Sequence, residues 1–205
     1  MKLKICGMKD SKNILEVSQL LPDYMGFIFW EKSPRFFNGT IPEIPDTIQR
    51  VGVFVDAPFE DIIAKIKLHQ LNIVQLHGSE DAAFCQNLKI ENIQIIKVFT
   101  VDENFSFDIL KSFENVVTYY LFDTKGKLPG GNGTTFNWEI LQKYNSTKPF
   151  FLSGGIGIEE MEKIKKLHLP IHALDVNSRF ETEPGIKNAS LLKTFQNTIK
   201  NELSR

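Results

Sequence analysis

Short runs of Ile, Val, Leu, Phe and Tyr alternate along the chain with stretches in which apolar residues recur every three or four positions. The short runs end in Gly, Asp, Ser or another turn former, and several are almost continuously apolar, as strands buried on both faces are. They predict eight strands, at residues 2–6, 24–29, 50–55, 73–77, 94–100, 119–123, 150–153 and 172–176. Successive strands begin about 20 to 30 residues apart, which leaves room for one helix between most of them.

Five of the intervening stretches have helical spacing. Asp10-Ser11 supplies a helix cap before the first stripe, and Pro58 suits the first turn of the second. The stripes are Ile14, Leu15, Val17, Ser18 and Leu21; Ile62, Ile63, Ile66 and Leu71; Phe84, Cys85 and Leu88; Ile158, Met161, Ile164 and Leu167; and Leu191, Leu192, Phe195 and Ile199. After the second strand, Pro42 and Pro45 leave little room for a helix in residues 36–49.

Eight strand-then-helix units predict an α/β protein with a (β/α)8 barrel. An open doubly wound sheet is the alternative, but it needs fewer units and usually has a glycine-rich first turn. The first strand here ends Cys6-Gly7-Met8-Lys9, without the G-x-G-x-x-G pattern. Because no linker or change of composition interrupts the chain, we expect residues 1–205 to form a single domain.

Charge and composition narrow the class of partner. Lys and Arg together number 24 and Asp and Glu 25, which gives a formal net charge of −1. Proteins that bind nucleic acid or an acidic membrane are usually strongly basic. We therefore expect a small-molecule substrate, and neither nucleic acid nor a membrane.

Cysteine use and the apolar pattern bear on the compartment. The two cysteines, Cys6 and Cys85, are too few for a disulfide-rich secreted scaffold. The first residues lack the apolar run of a signal peptide, and no stretch approaches the about 20 apolar residues of a membrane helix. We expect a cytoplasmic protein with reduced thiols.

In a (β/α)8 barrel the active site lies at the carboxyl ends of the strands, so the residues there are the candidates for chemistry. Cys6 ends the first strand, and Lys4 shares its face because side chains on one face recur every two residues. A neighbouring cation lowers the pKa of a thiol and makes it a usable base or nucleophile. The alternative is a cysteine that acts only as a small buried hydrophobe, as we expect for Cys85.

Asp123 ends the sixth strand directly after an apolar run. In an apolar setting the pKa of its carboxyl would rise, which suits a proton donor, although such an aspartate can also simply cap the next turn. The loop between Thr124 and Trp138 contains four glycines. It predicts a lid or ligand cradle, with a mobile surface loop as the alternative.

A glycine-rich turn and an arginine suggest anion binding. Ser153-Gly154-Gly155-Ile156-Gly157 closes the seventh strand and Asn177-Ser178 follows the eighth, where this fold places a phosphate. Arg35 could bind a carboxylate or phosphate, or be a solvated loop charge. His77 is the only histidine at a strand end, whereas a metal site would need two or more with carboxylates. We predict no metal.

Together these segments resemble the phosphoribosylanthranilate isomerase family of tryptophan biosynthesis. They occur in the family's order and span nearly the whole chain. The matching segments are Lys4-Ile5-Cys6-Gly7-Met8, Gly26-Phe27-Ile28-Phe29 with Ser33-Pro34-Arg35, Val51-Gly52-Val53-Phe54-Val55, Val74-Gln75-Leu76-His77-Gly78, Phe122-Asp123-Thr124, Gly130 through Trp138, Leu152-Ser153-Gly154-Gly155, and Asp175-Val176-Asn177-Ser178 with Glu181 and Pro184-Gly185-Ile186-Lys187.

The resemblance implies an Amadori rearrangement of N-(5-phosphoribosyl)anthranilate to 1-(o-carboxyphenylamino)-1-deoxyribulose 5-phosphate. The family's general acid falls on Asp123, which would protonate the furanose ring oxygen. Its general base falls on Cys6, which would remove the proton from C2′. No cofactor is implied, because the iminium formed on ring opening is the electron sink.

The same resemblance assigns the binding residues. Arg35 would hold the anthranilate carboxylate, and His77 would contact the substrate. The phosphate would bind to Gly154, Gly155, Asn177 and Ser178. Asp175 would contact the ligand or support residues that do, with Lys4 as its ion partner. Many family members have Gly-Val where this chain has Arg179-Phe180, so Arg179 either adds a phosphate contact or points to solvent.

Three alternatives differ from this isomerase. A metal-dependent phosphosugar epimerase would need strand-end His and Asp ligands. An imidazole-pathway isomerase would have aspartates at the ends of strands one and five, where this chain has Cys6 and residues 98–101. A phosphosugar-binding barrel without catalysis, or with a different specificity, would not need both Cys6 and Asp123. Whether the protein is a monomer or a homodimer stays open.

Overall fold

Eight parallel strands close into a barrel in the computed structural model, which describes residues 1–89, 93–124 and 138–203. The strands are β1 Lys2–Ile5, β2 Tyr24–Ile28, β3 Gln49–Phe54, β4 Ile73–Leu76, β5 Gln94–Val101, β6 Tyr119–Thr124, β7 Phe150–Leu152 and β8 Ile171–Val176. They pair in chain order and β1 pairs with β8, with Lys4 opposite Asp175. The predicted (β/α)8 barrel is confirmed, and every predicted strand end lies within one residue of the observed one.

Helices cover the outside of the barrel unevenly. The α-helices are α1 Ser11–Ser18, α2 Phe59–His69, α3 Ala82–Leu88, α4 Met161–Lys165 and α5 Ala189–Leu203. Single 3-10 helices follow β5 and β6, at Phe107–Phe113 and Trp138–Lys143. Residues 36–48 contain no helix, as Pro42 and Pro45 predict. The prediction that each of the eight strands is followed by a helix is therefore wrong after β2, where the described chain has no helix, and only 3-10 helices follow β5 and β6.

Side-chain caps explain where two helices begin. The Asp10 carboxylate accepts from the backbone N–H of Asn13 at 2.9 Å, and Asp81 accepts from that of Phe84 at 2.7 Å. The predicted stripe on α1 is too broad, because Leu15 and Leu21 are 42% and 58% exposed. Leu21 follows the helix with a φ of 51°, which carries its side chain away from the helical face.

A short antiparallel hairpin follows β8 and was not predicted. A 3-10 turn at Ser178–Phe180 leads into β9 Glu181–Glu183, which pairs with β10 Ile186–Lys187. Gly185 makes the turn with a φ of 92°, a conformation that favours glycine. The hairpin brings Glu181 and Lys187 to the mouth of the barrel.

Two apolar layers hold the barrel. One packs between the strands and the helices, and the other fills the barrel interior. The interior layer consists of Tyr24, Val51, Ile73, Ile96, Val98, Leu121, Phe151 and Ala173. This layer fills the lower part of the barrel, and the buried polar side chains of the strands lie above it, toward their carboxyl ends.

The loop predicted as a lid, residues 125–137, lies outside the described residues. Among the described helices, none has both the length and the apolar composition needed to cross a bilayer.

Candidate active site

The polar residues of the barrel mouth lie two and four positions beyond the interior apolar layer, because side chains on one face of a strand recur every two residues. On β4, Gln75 and then His77 follow Ile73. On β6, Asp123 follows Leu121, and on β8, Asp175 follows Ala173. The sequence period thus brings the candidate residues of several strands to the same end of the barrel.

Lys4 and Asp175 form a buried ion pair beneath Cys6. Lys4 Nζ donates to Asp175 Oδ1 at 2.8 Å, and the Lys4 side chain is fully buried. Burial acts to lower the pKa of Lys4, but its interactions with Asp175 and Cys6 outweigh that effect and raise the pKa. Lys4 is therefore an ammonium that lies beside the thiol, and its expected pairing with Asp175 is confirmed.

Gly26 on β2 leaves the space in which Lys4 and Cys6 meet. A Cβ atom at Gly26 would lie 2.9 Å from Cys6 Sγ and 3.3 Å from Lys4 Nζ. A larger residue at this position would push the thiol and the ammonium apart. The glycine therefore contributes to the site by being small.

The expectation that Lys4 brings the pKa of the Cys6 thiol below its free value is wrong. Burial raises that pKa, and the attraction of Lys4 offsets the effect only in part, while Asp175 adds to it. Cys6 is 5% exposed and forms no disulfide. The resting side chain is a neutral thiol with a cation next to it.

On the other side of the mouth, Asp123 contacts His77. His77 Nε2 lies 3.5 Å from Asp123 Oδ2, and Gln75 Nε2 lies 3.5 Å from His77 Nδ1. Burial, with the charges of Lys4 and Lys97 added, lowers the pKa of His77 to about 3. The imidazole is therefore neutral at physiological pH. Asp123 has this neutral ring beside it, whereas Cys6 has the Lys4 ammonium beside it. The role of Gln75 was not predicted, although it belongs to a segment quoted for the resemblance.

A second buried ion pair holds the loop that follows His77. Lys97 Nζ donates to Glu80 Oε2 at 2.8 Å and to the Gly78 carbonyl at 2.7 Å. Glu80 in turn accepts from the backbone N–H groups of Asp56 and Gly78, at 2.9 and 3.0 Å. These bonds tie the loops after β3 and β4 to β5, so the position of His77 is supported from three strands.

Arg35 is bound to a carboxylate of this chain. Its Nε and Nη2 donate to both oxygens of Glu181 at 2.7 to 3.1 Å. Lys187 Nζ donates to the same carboxylate at 2.7 Å and to Asn177 Oδ1 at 2.6 Å. The alternative of a solvated loop charge is wrong, because the Arg35 side chain is 11% exposed. Glu181 and Lys187 were not predicted to have a role.

The loops after β7 and β8 lie against each other. Gly154 and Gly155 have φ angles of 91° and 67°, the left-handed region that favours glycine. The segment after them is a three-residue 3-10 turn followed by a five-residue α-helix. That the loop amides, Asn177 and Ser178 bind phosphate stays a prediction.

Arg179 is bonded to the loop after β7 and does not simply point to solvent. Its Nη1 donates to the Gly155 carbonyl and to Glu160 Oε1, both at 3.2 Å, and its Nη2 donates to Glu159 Oε2 at 2.7 Å. The backbone of Gly157 approaches so closely that a Cβ there would lie 2.9 Å from Arg179 Nε. The guanidinium thus joins the loop after β8 to the loop after β7.

Within the described ranges, no group of three or more His, Cys, Asp and Glu side chains has the arrangement of a metal site. The chemistry that the mouth offers comes from its acids, its thiol and its cations.

Removing the Lys4 ammonium is expected to destabilise the protein. Lys4→Met leaves the buried Asp175 carboxylate without its cation, and breaking a buried pair in this way costs about 3 kcal/mol of unfolding free energy. Urea denaturation measures the loss, with Lys2→Met as the control, since Lys2 lies on the same strand, is exposed and donates to Tyr24 Oη at a long 3.3 Å. Equal losses in the two variants would contradict the role of the pair.

Comparisons with known proteins agree in one family. The family model for N-(5'phosphoribosyl)anthranilate (PRA) isomerase matches residues 3–198. An N-(5'-phosphoribosyl)anthranilate isomerase of Parabacteroides distasonis is 40% identical over 202 residues, covering 95% of this chain and 91% of that protein. One of Phocaeicola vulgatus is 37% identical over 204 residues, covering 99% and 100%.

A solved structure gives the same result. Phosphoribosyl anthranilate isomerase in complex with reduced 1-(o-carboxyphenylamino)-1-deoxyribulose 5-phosphate superimposes with a TM-score of 0.79 at 28% identity. The match covers 98% of this chain and 99% of that one.

Proposed function

The chain belongs to the N-(5'-phosphoribosyl)anthranilate isomerase family, and from this membership we propose how its own residues carry out the reaction. The activity is the isomerisation of N-(5'-phosphoribosyl)anthranilate to 1-(o-carboxyphenylamino)-1-deoxyribulose 5-phosphate, an Amadori rearrangement in tryptophan biosynthesis. The reaction opens the sugar ring and moves a proton away from C2′, so it needs one acid and one base.

Asp123 is the general acid of this proposal. Its carboxyl gives a proton to the furanose ring oxygen as the bond from C1′ to that oxygen breaks, and the anthranilate nitrogen forms the iminium. The neutral Nε2 of His77 lies 3.5 Å from Oδ2 and supports the carboxyl group from one side. Because Asp123 is 5% exposed, water competes little for its proton.

Cys6 is the general base. As a thiolate it takes the proton from C2′, and the electron pair of the C2′–H bond forms the enolamine while the iminium nitrogen becomes neutral. The enolamine then tautomerises to the aminoketone product. Lys4 stabilises the thiolate by its charge, which matters because burial otherwise favours the thiol.

The observation that carries this assignment is the contrast between the two sides of the mouth. Cys6 follows β1 beside the Lys4 ammonium, whereas Asp123 lies near the carboxyl end of β6, three strands away around the barrel, beside a neutral imidazole. A cation favours the anionic form of a base, and a carboxyl group is the proton donor that the ring oxygen requires. The two groups therefore suit opposite proton transfers.

Binding follows from the charges around the pair. Arg35 holds the anthranilate carboxylate, and the amides of Gly154 and Gly155 hold the phosphate with Asn177 and Ser178. The net charge of −1 favours one small anion over nucleic acid or a membrane surface. Two buried free thiols, at Cys6 and Cys85, fit a reducing compartment such as the cytoplasm.

The experiment is turnover of freshly generated phosphoribosylanthranilate, followed by the loss of anthranilate-type fluorescence. A rate that scales with protein concentration and far exceeds the uncatalysed decay supports the isomerase. A rate equal to the buffer background contradicts it. Binding of the reduced product analogue without turnover would instead indicate a phosphosugar-binding barrel.

A further inference from the structure

Four polar side chains beside the acid–base pair form a buried cluster, which we call the Glu181 cluster: Arg35, Asn177, Glu181 and Lys187. The side chains of Arg35, Glu181 and Lys187 are only 11%, 5% and 0% exposed. Charged groups are seldom buried so deeply unless their geometry is fixed by several hydrogen bonds. Arg35 and Asn177 bind substrate in the proposed reaction, whereas Glu181 and Lys187 have no role in it.

Glu181 determines the orientation of Arg35. Three hydrogen bonds of 2.7 to 3.1 Å occupy Nε and Nη2 of the guanidinium, and a fourth, from the Gly185 N–H at 3.0 Å, holds the carboxylate. Within the described part of the chain no partner of Nη1 is found. Because the guanidinium is planar, fixing one edge also fixes the direction of the other. Arg35 can therefore present Nη1 to an incoming carboxylate in one orientation.

Lys187 determines the orientation of Asn177. Its ammonium donates to Asn177 Oδ1 at 2.6 Å, so the amide oxygen is turned toward the cluster and the Nδ2 donor is turned away from it. The backbone of Lys187 is held on both sides by Asn13 on α1, through bonds of 2.8 and 2.7 Å. Asn177 therefore offers a donor, which an anion requires, where a free amide could equally offer an acceptor.

The cluster also carries charge suited to an anion. One carboxylate stands against two cations, so the group has a net positive charge in a buried setting. Burial lowers the pKa of Lys187 to about 8, and Glu181 opposes that shift. Glu181 thus keeps Lys187 charged near neutral pH while it also holds Arg35.

We infer that Glu181 is a positioning residue that aligns both anion-binding ends of the site, Arg35 directly and Asn177 through Lys187. The inference rests on the proposed function for what the two ends bind, a carboxylate at Arg35 and a phosphate at Asn177. Glu181 itself touches no substrate. Its effect is to hold the two donors at a fixed separation.

The test measures binding of two ligands by calorimetry: reduced 1-(o-carboxyphenylamino)-1-deoxyribulose 5-phosphate, and the same compound without its phosphate. The variants are Glu181→Gln and Lys187→Met. Glu183→Gln is the matched control, because Glu183 lies two residues along the same strand and is exposed. The steady-state kcat and KM of Glu181→Gln are measured alongside.

Glu181→Gln is expected to lower the affinity for the phosphorylated ligand about 100-fold and the affinity for the dephosphorylated ligand about 10-fold. Both anion-binding ends of the site lose their alignment in this variant. Lys187→Met is expected to lower the affinity for the phosphorylated ligand about 10-fold and the affinity for the other ligand much less, because Asn177 is released while Glu181 keeps its bonds to Arg35 and the Gly185 N–H. For Glu181→Gln the loss appears in KM, with kcat within about threefold of the wild type.

Equal affinities in Glu181→Gln and the wild type would overturn the inference while leaving the isomerase intact. A wild type that binds neither ligand and shows no turnover would overturn the proposed function, and the inference with it. If Glu181→Gln does not fold, the affinities of Lys187→Met decide. A loss of affinity mainly for the phosphorylated ligand supports the inference. An equal loss of affinity for both ligands, or no loss, overturns it.

Discussion

Replacing Cys6 with alanine is expected to lower kcat about 1000-fold with little change in KM, because the base is lost and the binding groups stay in place. Fluorescence-monitored turnover at saturating substrate measures this. Cys85→Ala is the matched control, since it makes the same change at the other buried, unpaired cysteine, which lies in α3 away from the mouth. A comparable fall in both variants would mean that Cys6 acts only through packing.

The raised pKa of Cys6 gives the same prediction a pH dependence. Burial places that pKa above the ordinary value of 9.0, so the thiolate is the minor form at neutral pH. Its fraction, and with it kcat, is expected to rise about tenfold for each pH unit until the pKa is approached. A kcat that does not change between pH 6 and 9 would contradict a thiolate base.

Asp123→Asn is expected to lower kcat about 1000-fold as well, because the amide keeps the shape of the side chain and has no acidic proton for the ring oxygen. KM should stay near the wild-type value. Asp56→Asn is the control, another carboxylate that follows a barrel strand, whose Oδ1 accepts from Ser79 and would still do so as an amide.

Two outcomes separate the interpretations of Asp123. If it only supported the loop, Asp123→Asn would lose thermal stability and activity together, and its kcat in the folded fraction would match the wild type. If it is the acid, the variant melts like the wild type and turns over slowly. A fully active Asp123→Asn would contradict the assignment of the acid.

The strands and the candidate residues at their ends could be predicted because both follow from local patterns. A strand buried on both faces must be apolar along its length, so its polar end marks the barrel mouth. Cys6, His77 and Asp123 were found in this way, and the family pattern added the roles of Arg35 and Asp175. Leu15 and Leu21 show the limit of the same method, because a helical stripe does not tell how much of a helix the barrel covers.

The Glu181 cluster and the proton state of Cys6 could not be predicted from pattern. Arg35 and Glu181 are 146 positions apart, so barrel closure and the β9–β10 hairpin bring them together. The sequence placed Lys4 beside Cys6 and pointed to a lowered thiol pKa. Burial reversed the direction, and burial is known only once the whole barrel is assembled.

By itself, then, the sequence determined the order of the strands, their ends and the residue types that face the mouth, because hydrophobic periodicity is a local property of the chain. Only the tertiary structure decided which charges meet in the Glu181 cluster, which donors of Arg35 and Asn177 are left for a ligand, and whether Cys6 holds its proton. Those properties depend on distances between charges and on burial. Both are determined by residues that are far apart in the sequence and meet only in the folded barrel.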